Sequence, residues 1–125
     1  MSDLVSLRHL TPTAKPWGNV FGVPTGRDRV RIDLLAITSG GRSSVHRHRV
    51  NFNEFIVSEG VLTVWVFDQP RPERPTRNLT LSAGDRLVVP PGVWHQFIAE
   101  TDCTVCELYY RDDEHPVGDD IERLP

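Results

Sequence analysis

The sequence predicts an all-β domain with little helix, and three observations carry that expectation. Short runs rich in β-branched and aromatic residues recur about every 8–12 residues, the spacing of a sandwich or small barrel. Turn residues separate them, for the 125-residue chain holds 10 prolines and 9 glycines, spread evenly. No window shows an amphipathic 3.6-residue period longer than about two turns. One domain with one core is expected at this length, since single cores are comfortable at roughly 100–150 residues. It divides into an irregular arm over 1–29, a barrel over 30–110 and a tail over 111–125.

In the arm, Lys15-Pro16-Trp17-Gly18 is the anchor, with Trp17 read as a packing plug over one end of the core. Val30–Ile37 is the first strand, closed by the Ser39-Gly40-Gly41 turn. Val45–His48 and Asn53–Ser58 are the next two. Val61–Phe67 has the β-branched and aromatic content, and the length, of a buried strand. Asp68–Arg77 holds three prolines and several charges, which a sheet excludes, so it is an exposed loop. Asn78–Leu81 and Arg86–Val89 are short strands on either side of the Ser82–Asp85 turn, and Pro90-Pro91-Gly92 turns the chain again. His95–Ala99 and Thr104–Tyr110 bring the count to about eight strands. The acidic tail from Arg111 is expected to pack across the outside or fray.

A net charge of −3, with no Lys/Arg block longer than two, leaves no footprint for nucleic acid or an anionic membrane. Neither a leader-like start nor a run of ~18 apolar residues is present, so the expected location is the cytoplasm. Cys103 and Cys106 are spaced C-x-x-C. They lie in a strand, however, where residues three apart face opposite ways, whereas a redox pair wants a helix N-terminus; they read as buried structural thiols.

The chemistry concentrates in His46–Gly60, HRHRVNFNEFIVSEG. Two histidines one residue apart on a strand project to the same side, within reach of one ion. Asn53 or Glu54 follows as a further polar ligand. The stiff turn Pro90-Pro91-Gly92 then leads to His95 at the start of a strand that can face His46 and His48 across a barrel. Three neutral imidazoles in an all-β core suit Zn, Fe, Mn, Ni or Cu.

With these residues in order, the sequence resembles a cupin. The first cupin motif, G-x5-H-x-H-x(3–4)-E-x6-G, is approached by Gly40, His46, His48 and Gly60. The second, G-x5-P-x-G-x2-H-x3-N, is met by Gly84, Pro90, Gly92 and His95, with Ala99 at the usual asparagine. The resemblance covers roughly Val30–Tyr110. It implies a double-stranded β-helix (jelly-roll) barrel, commonly a homodimer, holding one divalent transition metal (Zn, Fe, Mn or Ni) through three histidines and a glutamate. Exposed barrel edges, which need pairing or covering, also lead us to expect a dimer. Counting back from Gly60, the family glutamate falls on Asn53, while Glu54 is one residue late. Strand parity puts Asn53 inside with Phe55 and Val57; a bulge after His48 would deliver Glu54 instead. We take Asn53 as the fourth metal position beside His46, His48 and His95.

Lys15-Pro16-Trp17-Gly18 and the ending Asp119-Asp120-Ile121-Glu122-Arg123 are similar to the cupin domain of type II mannose-6-phosphate isomerases. That likeness implies a sugar or sugar-phosphate ligand and aldose–ketose interconversion, with the metal as Lewis acid and a carboxylate moving a proton. Glu54 and Glu107 are the candidate bases; Arg42, beside the Gly40-Gly41 turn, is the candidate phosphate contact. A three-histidine shell is also compatible with an iron-dependent oxygenase. The substituted positions Asn53 and Ala99 suit a non-catalytic small-molecule-binding module.

Overall fold

The computed structural model describes residues 5–68, 74–113 and 115–124. Two strands precede the first one expected. β1 (Pro12–Lys15) and β2 (Gly18–Val23) form an antiparallel hairpin in the arm that read as irregular. Lys15 pairs with Gly18, so Pro16 and Trp17 are a two-residue loop. Neither Asn-Gly nor Asp-Gly marks this turn, which is why the hairpin escaped a reading by turn chemistry. Gly18 takes φ +147°, and a Cβ there would stand 2.0 Å from the Ala36 carbonyl oxygen of the neighbouring strand.

The expected strands follow as β3 (Val30–Ile37), β4 (His46–His48), β5 (Phe52–Glu59), β6 (Leu62–Phe67), β7 (Arg77–Leu81), β8 (Arg86–Val89), β9 (Trp94–Ala99) and β10 (Cys103–Tyr110). A last strand, β11 (Ile121–Arg123), pairs with β4, so the tail enters a sheet rather than fraying. Every pairing is antiparallel, in two sheets ordered β1-β2-β3-β10-β5-β8 and β11-β4-β9-β6-β7. This is the all-β jelly roll the sequence predicts, and no helix occurs among the described residues. Within the loop expected over Asp68–Arg77, residues 69–73 lie outside the described residues, and Arg77 already belongs to β7. Residues 1–4 of the arm, and residues 114 and 125 of the tail, lie outside them too. No described helix is long and apolar enough to cross a membrane.

Strand parity segregates the barrel interior lengthwise. On β3 the inward residues run Asp33, Leu35, Ile37; on β5, Asn53, Phe55, Val57; on β9, His95, Phe97, Ala99; on β10, Glu107, Val105, Cys103. Each strand thus carries a polar residue at one end of the barrel and apolar residues toward the other. The apolar end is one cluster in which Phe55, Leu62, Val64 and Val105 have no exposed surface. Burying each such side chain contributes about 1.5–3 kcal/mol. Trp17 packs edge-on against Phe97, ring centroids 5.2 Å apart, between the apolar cluster and the polar end. Cys103 is buried in the core, while Cys106 is only half-buried on the outer face; both thiols are free.

Gly60 closes the β5–β6 turn at φ +85°, and a Cβ there would meet the Asp102 carbonyl oxygen at 2.1 Å. Positive φ and backbone overlap act together. Gly60→Ala is therefore expected to destabilise the fold by about 2–4 kcal/mol, read from the urea midpoint at unchanged m-value. A loss within the ±0.5 kcal/mol typical of surface substitutions would contradict this account of the turn.

Candidate metal centre

The polar end of the barrel is a cavity of about 550 Å³ lined by residues of both sheets and of the C-terminal segment. His46 and His48 reach its floor from β4, as the one-residue spacing requires, and His95 stands opposite His46 as its direct partner on β9. The His46 ring lies 4.4 Å from His95 and 5.3 Å from His48, centroid to centroid. One ligand nitrogen from each of the three falls within 4.8 Å of the others. All three side chains are buried.

Hydrogen bonds at Nδ1 fix which nitrogen faces inward. His46 Nδ1 donates to the Ser44 carbonyl at 2.8 Å, His95 Nδ1 to the Val93 carbonyl at 2.8 Å, and His48 Nδ1 to Asp120 Oδ1 at 3.1 Å. A neutral imidazole with its proton on Nδ1 presents a lone pair at Nε2. Burial pushes the imidazolium pKa of His46 down to about 4 and that of His95 down to about 3, and lowers that of His48 despite Asp120. Neutral rings at neutral pH are what metal ligation needs.

Asn53 joins this set from β5. It is fully buried, on the inward face with Phe55 and Val57, as parity predicts. Its Nδ2 donates to Glu107 Oε2 at 3.2 Å and to the Leu108 carbonyl at 3.4 Å, which orients the amide. Oδ1 then faces His95 Nε2 at 3.2 Å. Both atoms are acceptors in this arrangement, and two lone pairs at that distance are reconciled by a cation between them. His48 Nε2 is likewise buried without a hydrogen-bond partner. An orphaned nitrogen, a facing pair of acceptors and the remaining imidazole, His46, make a donor set that fits a divalent transition metal.

Glu54 is not brought to the histidines. The register shift in the β5–β10 pairing lies at Thr104/Val105, the far end of the strand, so alternation holds at residue 53 and Glu54 points to the outer face. There its carboxylate accepts from Arg86 at 2.6 Å and from the Tyr110 hydroxyl at 3.4 Å. The one-residue slip that would have made it a ligand or a base at this cavity does not occur. Glu107 is in place. Its inward carboxyl lines the cavity, and burial raises its pKa to about 7. Arg42 lines the cavity as an exposed side chain.

Three residues escaped the sequence reading. Asp33, buried and lining the cavity, is the direct partner of Glu107 on β3 and is held by Arg31 at 3.2 Å. An aspartate on the inward parity of the apolar strand VRIDLLAI was the available signal. Tyr109 packs against His48, centroids 5.0 Å apart. Asp120, within the tail motif, touches His48 directly. Burial pushes the Asp120 carboxyl pKa up, but the backbone donors of Asn51 and Val50 outweigh it and hold the group below its ordinary value.

Comparisons with known proteins agree with this architecture. Residues 34–110 match the family model for the cupin domain. No curated protein matches the chain. Among solved structures, KdgF from a Halomonas species superimposes with a TM-score of 0.67 at 19% identity, covering 83% of this chain and 90% of that one. A cupin-2 domain containing protein from Shewanella frigidimarina gives 0.56 at 25% identity, with 85% of each chain covered. Oxalate decarboxylase from Lactobacillus farciminis, solved as a formate complex, gives 0.71 at 20% identity over 92% of this chain but only 33% of that one. With well over half of its length inside the matched family model, the chain belongs to the cupin family.

Proposed function

We propose that this cupin is a metal-dependent isomerase of a sugar or sugar phosphate, with His46, His48, His95 and Asn53 holding the metal. The observation that carries the reading is the Glu107 carboxyl, set in the wall of the same cavity that His46 and His48 line, with His95 buried directly behind them. When bound, a divalent metal supplies Lewis acidity toward a carbonyl and its neighbouring hydroxyl. Glu107 takes a proton from the hydroxyl-bearing carbon and returns it to the carbonyl carbon while the hydroxyl proton passes to the former carbonyl oxygen, a task suited to a carboxyl whose pKa burial brings near neutrality. Trp17 and Phe97 form an apolar wall that limits water at the reacting carbons. Arg42, exposed and lining the cavity, is placed to receive a phosphate. The likeness to type II mannose-6-phosphate isomerases supports the same substrate class, and residues of both motifs, Trp17 in the arm and Asp120 in the tail, line this cavity.

The test is proton exchange. Metal-loaded protein incubated in D₂O with a panel of aldoses and aldose phosphates is expected to place deuterium on the carbon next to the carbonyl, observed by NMR, and to yield the ketose. Arg42→Ala is expected to raise KM for phosphorylated members and leave neutral sugars unaffected. Stabilisation of the protein by these ligands without exchange would reduce the chain to a binding module.

One observation favours a second reading. Among the described residues the histidine cluster includes no carboxylate, a shell compatible with an iron-dependent oxygenase. Oxygen uptake by iron-loaded protein in the presence of a small organic substrate would select it.

A further inference from the structure

We propose that the C-terminal segment Val117–Leu124 is a clasp over the metal centre, with Asp120 the positioning residue that ties its docking to metal binding at His48. This rests on the reading of His48 as a metal ligand. Asp120 is bonded through both oxygens. Oδ1 accepts from His48 Nδ1 at 3.1 Å and Asn51 Nδ2 at 2.9 Å; Oδ2 accepts from the Val50 and Asn51 backbone N–H groups at 2.7 Å each. A carboxylate in that position sets the tautomer and orientation of a ligating imidazole and raises its basicity.

The segment closes one wall of the cavity, which Val117, Gly118, Asp119 and Ile121 also line. Its attachments are mainly polar. Glu122 accepts from Arg47 at 3.0 Å and Arg49 at 3.1 Å; the Leu124 N–H donates to the Val45 carbonyl at 3.0 Å and the Val117 N–H to the Asp28 carbonyl at 2.7 Å. Leu124, packed on Val45, Phe67 and Trp94, is its apolar anchor. A three-residue strand held this way opens at low cost compared with the core strands. Opening removes the acceptor from His48 Nδ1, and metal on Nε2 strengthens the Nδ1–H donor. The two equilibria therefore bias each other by one and the same factor.

Zinc affinity and clasp opening in the full chain test this together. Asp120→Asn turns an acceptor into a donor: with Oδ1 kept by the two backbone N–H groups, its Nδ2 faces His48 Nδ1 and drives the proton to Nε2. Zinc affinity, measured by chelator competition, is expected to fall by about 10–100-fold. Glu122→Gln never touches His48, yet by loosening the clasp it is expected to weaken zinc binding as well. In the wild type, zinc is expected to slow hydrogen exchange of residues 117–124, and this protection is expected to shrink in Asp120→Asn. Unchanged zinc affinity in Asp120→Asn, or faster exchange in Glu122→Gln at wild-type affinity, overturns the clasp while leaving the metal site standing. A wild-type protein that binds no zinc overturns both.

Discussion

Replacing His95 by alanine is expected to remove most of the metal that purified protein carries, from about one ion per chain to a small fraction. His95 has no exposed surface, faces His46 across the β4–β9 pairing and presents Nε2 to Asn53 Oδ1 at 3.2 Å. It is the proposed ligand common to two halves of the site, which His46 and His48 supply from one strand and Asn53 from the other sheet. Losing an outer partner of a metal ligand costs roughly 10–100-fold in affinity, and losing the ligand itself costs more. His46→Ala is expected to behave alike. Elemental analysis after dialysis, with circular dichroism to confirm that the sheets survive, gives the answer. Full occupancy in the folded His95→Ala protein would sink the site. The same variant separates a metal centre from a merely packed histidine cluster, which would lose stability on truncation but had no metal to lose.

How much of this was legible beforehand follows from the range over which each feature is encoded. The strands from Val30 to Tyr110 are written in local alternation and turn residues, so their spans were readable to within a residue or so. The β1–β2 hairpin turns on Pro16-Trp17, a pair that announces no turn type, and its shape depends on Gly18 lying against Ala36. β11 is three residues, Ile-Glu-Arg, with no periodicity of its own; the edge of β4 makes it a strand. The site divides in the same way. His46, His48 and His95 announce themselves by spacing, and parity within one strand decides for Asn53 over Glu54. Asp33 and Asp120 depend on register between distant segments. Asp120 reaches His48 across 72 residues, and nothing local to Asp119-Asp120 says which strand it meets.

Glu107→Gln is the sharper test of chemistry, because it separates binding the metal from using it. The substitution keeps the volume of a buried side chain, and the glutamine oxygen still accepts from Asn53 Nδ2, so the amide that faces His95 stays oriented. Metal content is therefore expected to match the wild type. What disappears is the group proposed to carry a proton between carbons, and positioned acid–base catalysis contributes about 10²–10⁴-fold. A fall of that size in kcat, with KM for the sugar little changed, is the expected result in a steady-state assay. Glu54→Gln supplies the contrast: its carboxylate lies on the outer face, engaged by Arg86 and Tyr110, and its loss should leave turnover within a few-fold of wild type. Reversal of the two outcomes would mean that β5 and β10 present their other faces to the substrate. An undiminished Glu107→Gln enzyme would move the base elsewhere on the cavity wall, to Asp33, the remaining carboxylate within the same paired register.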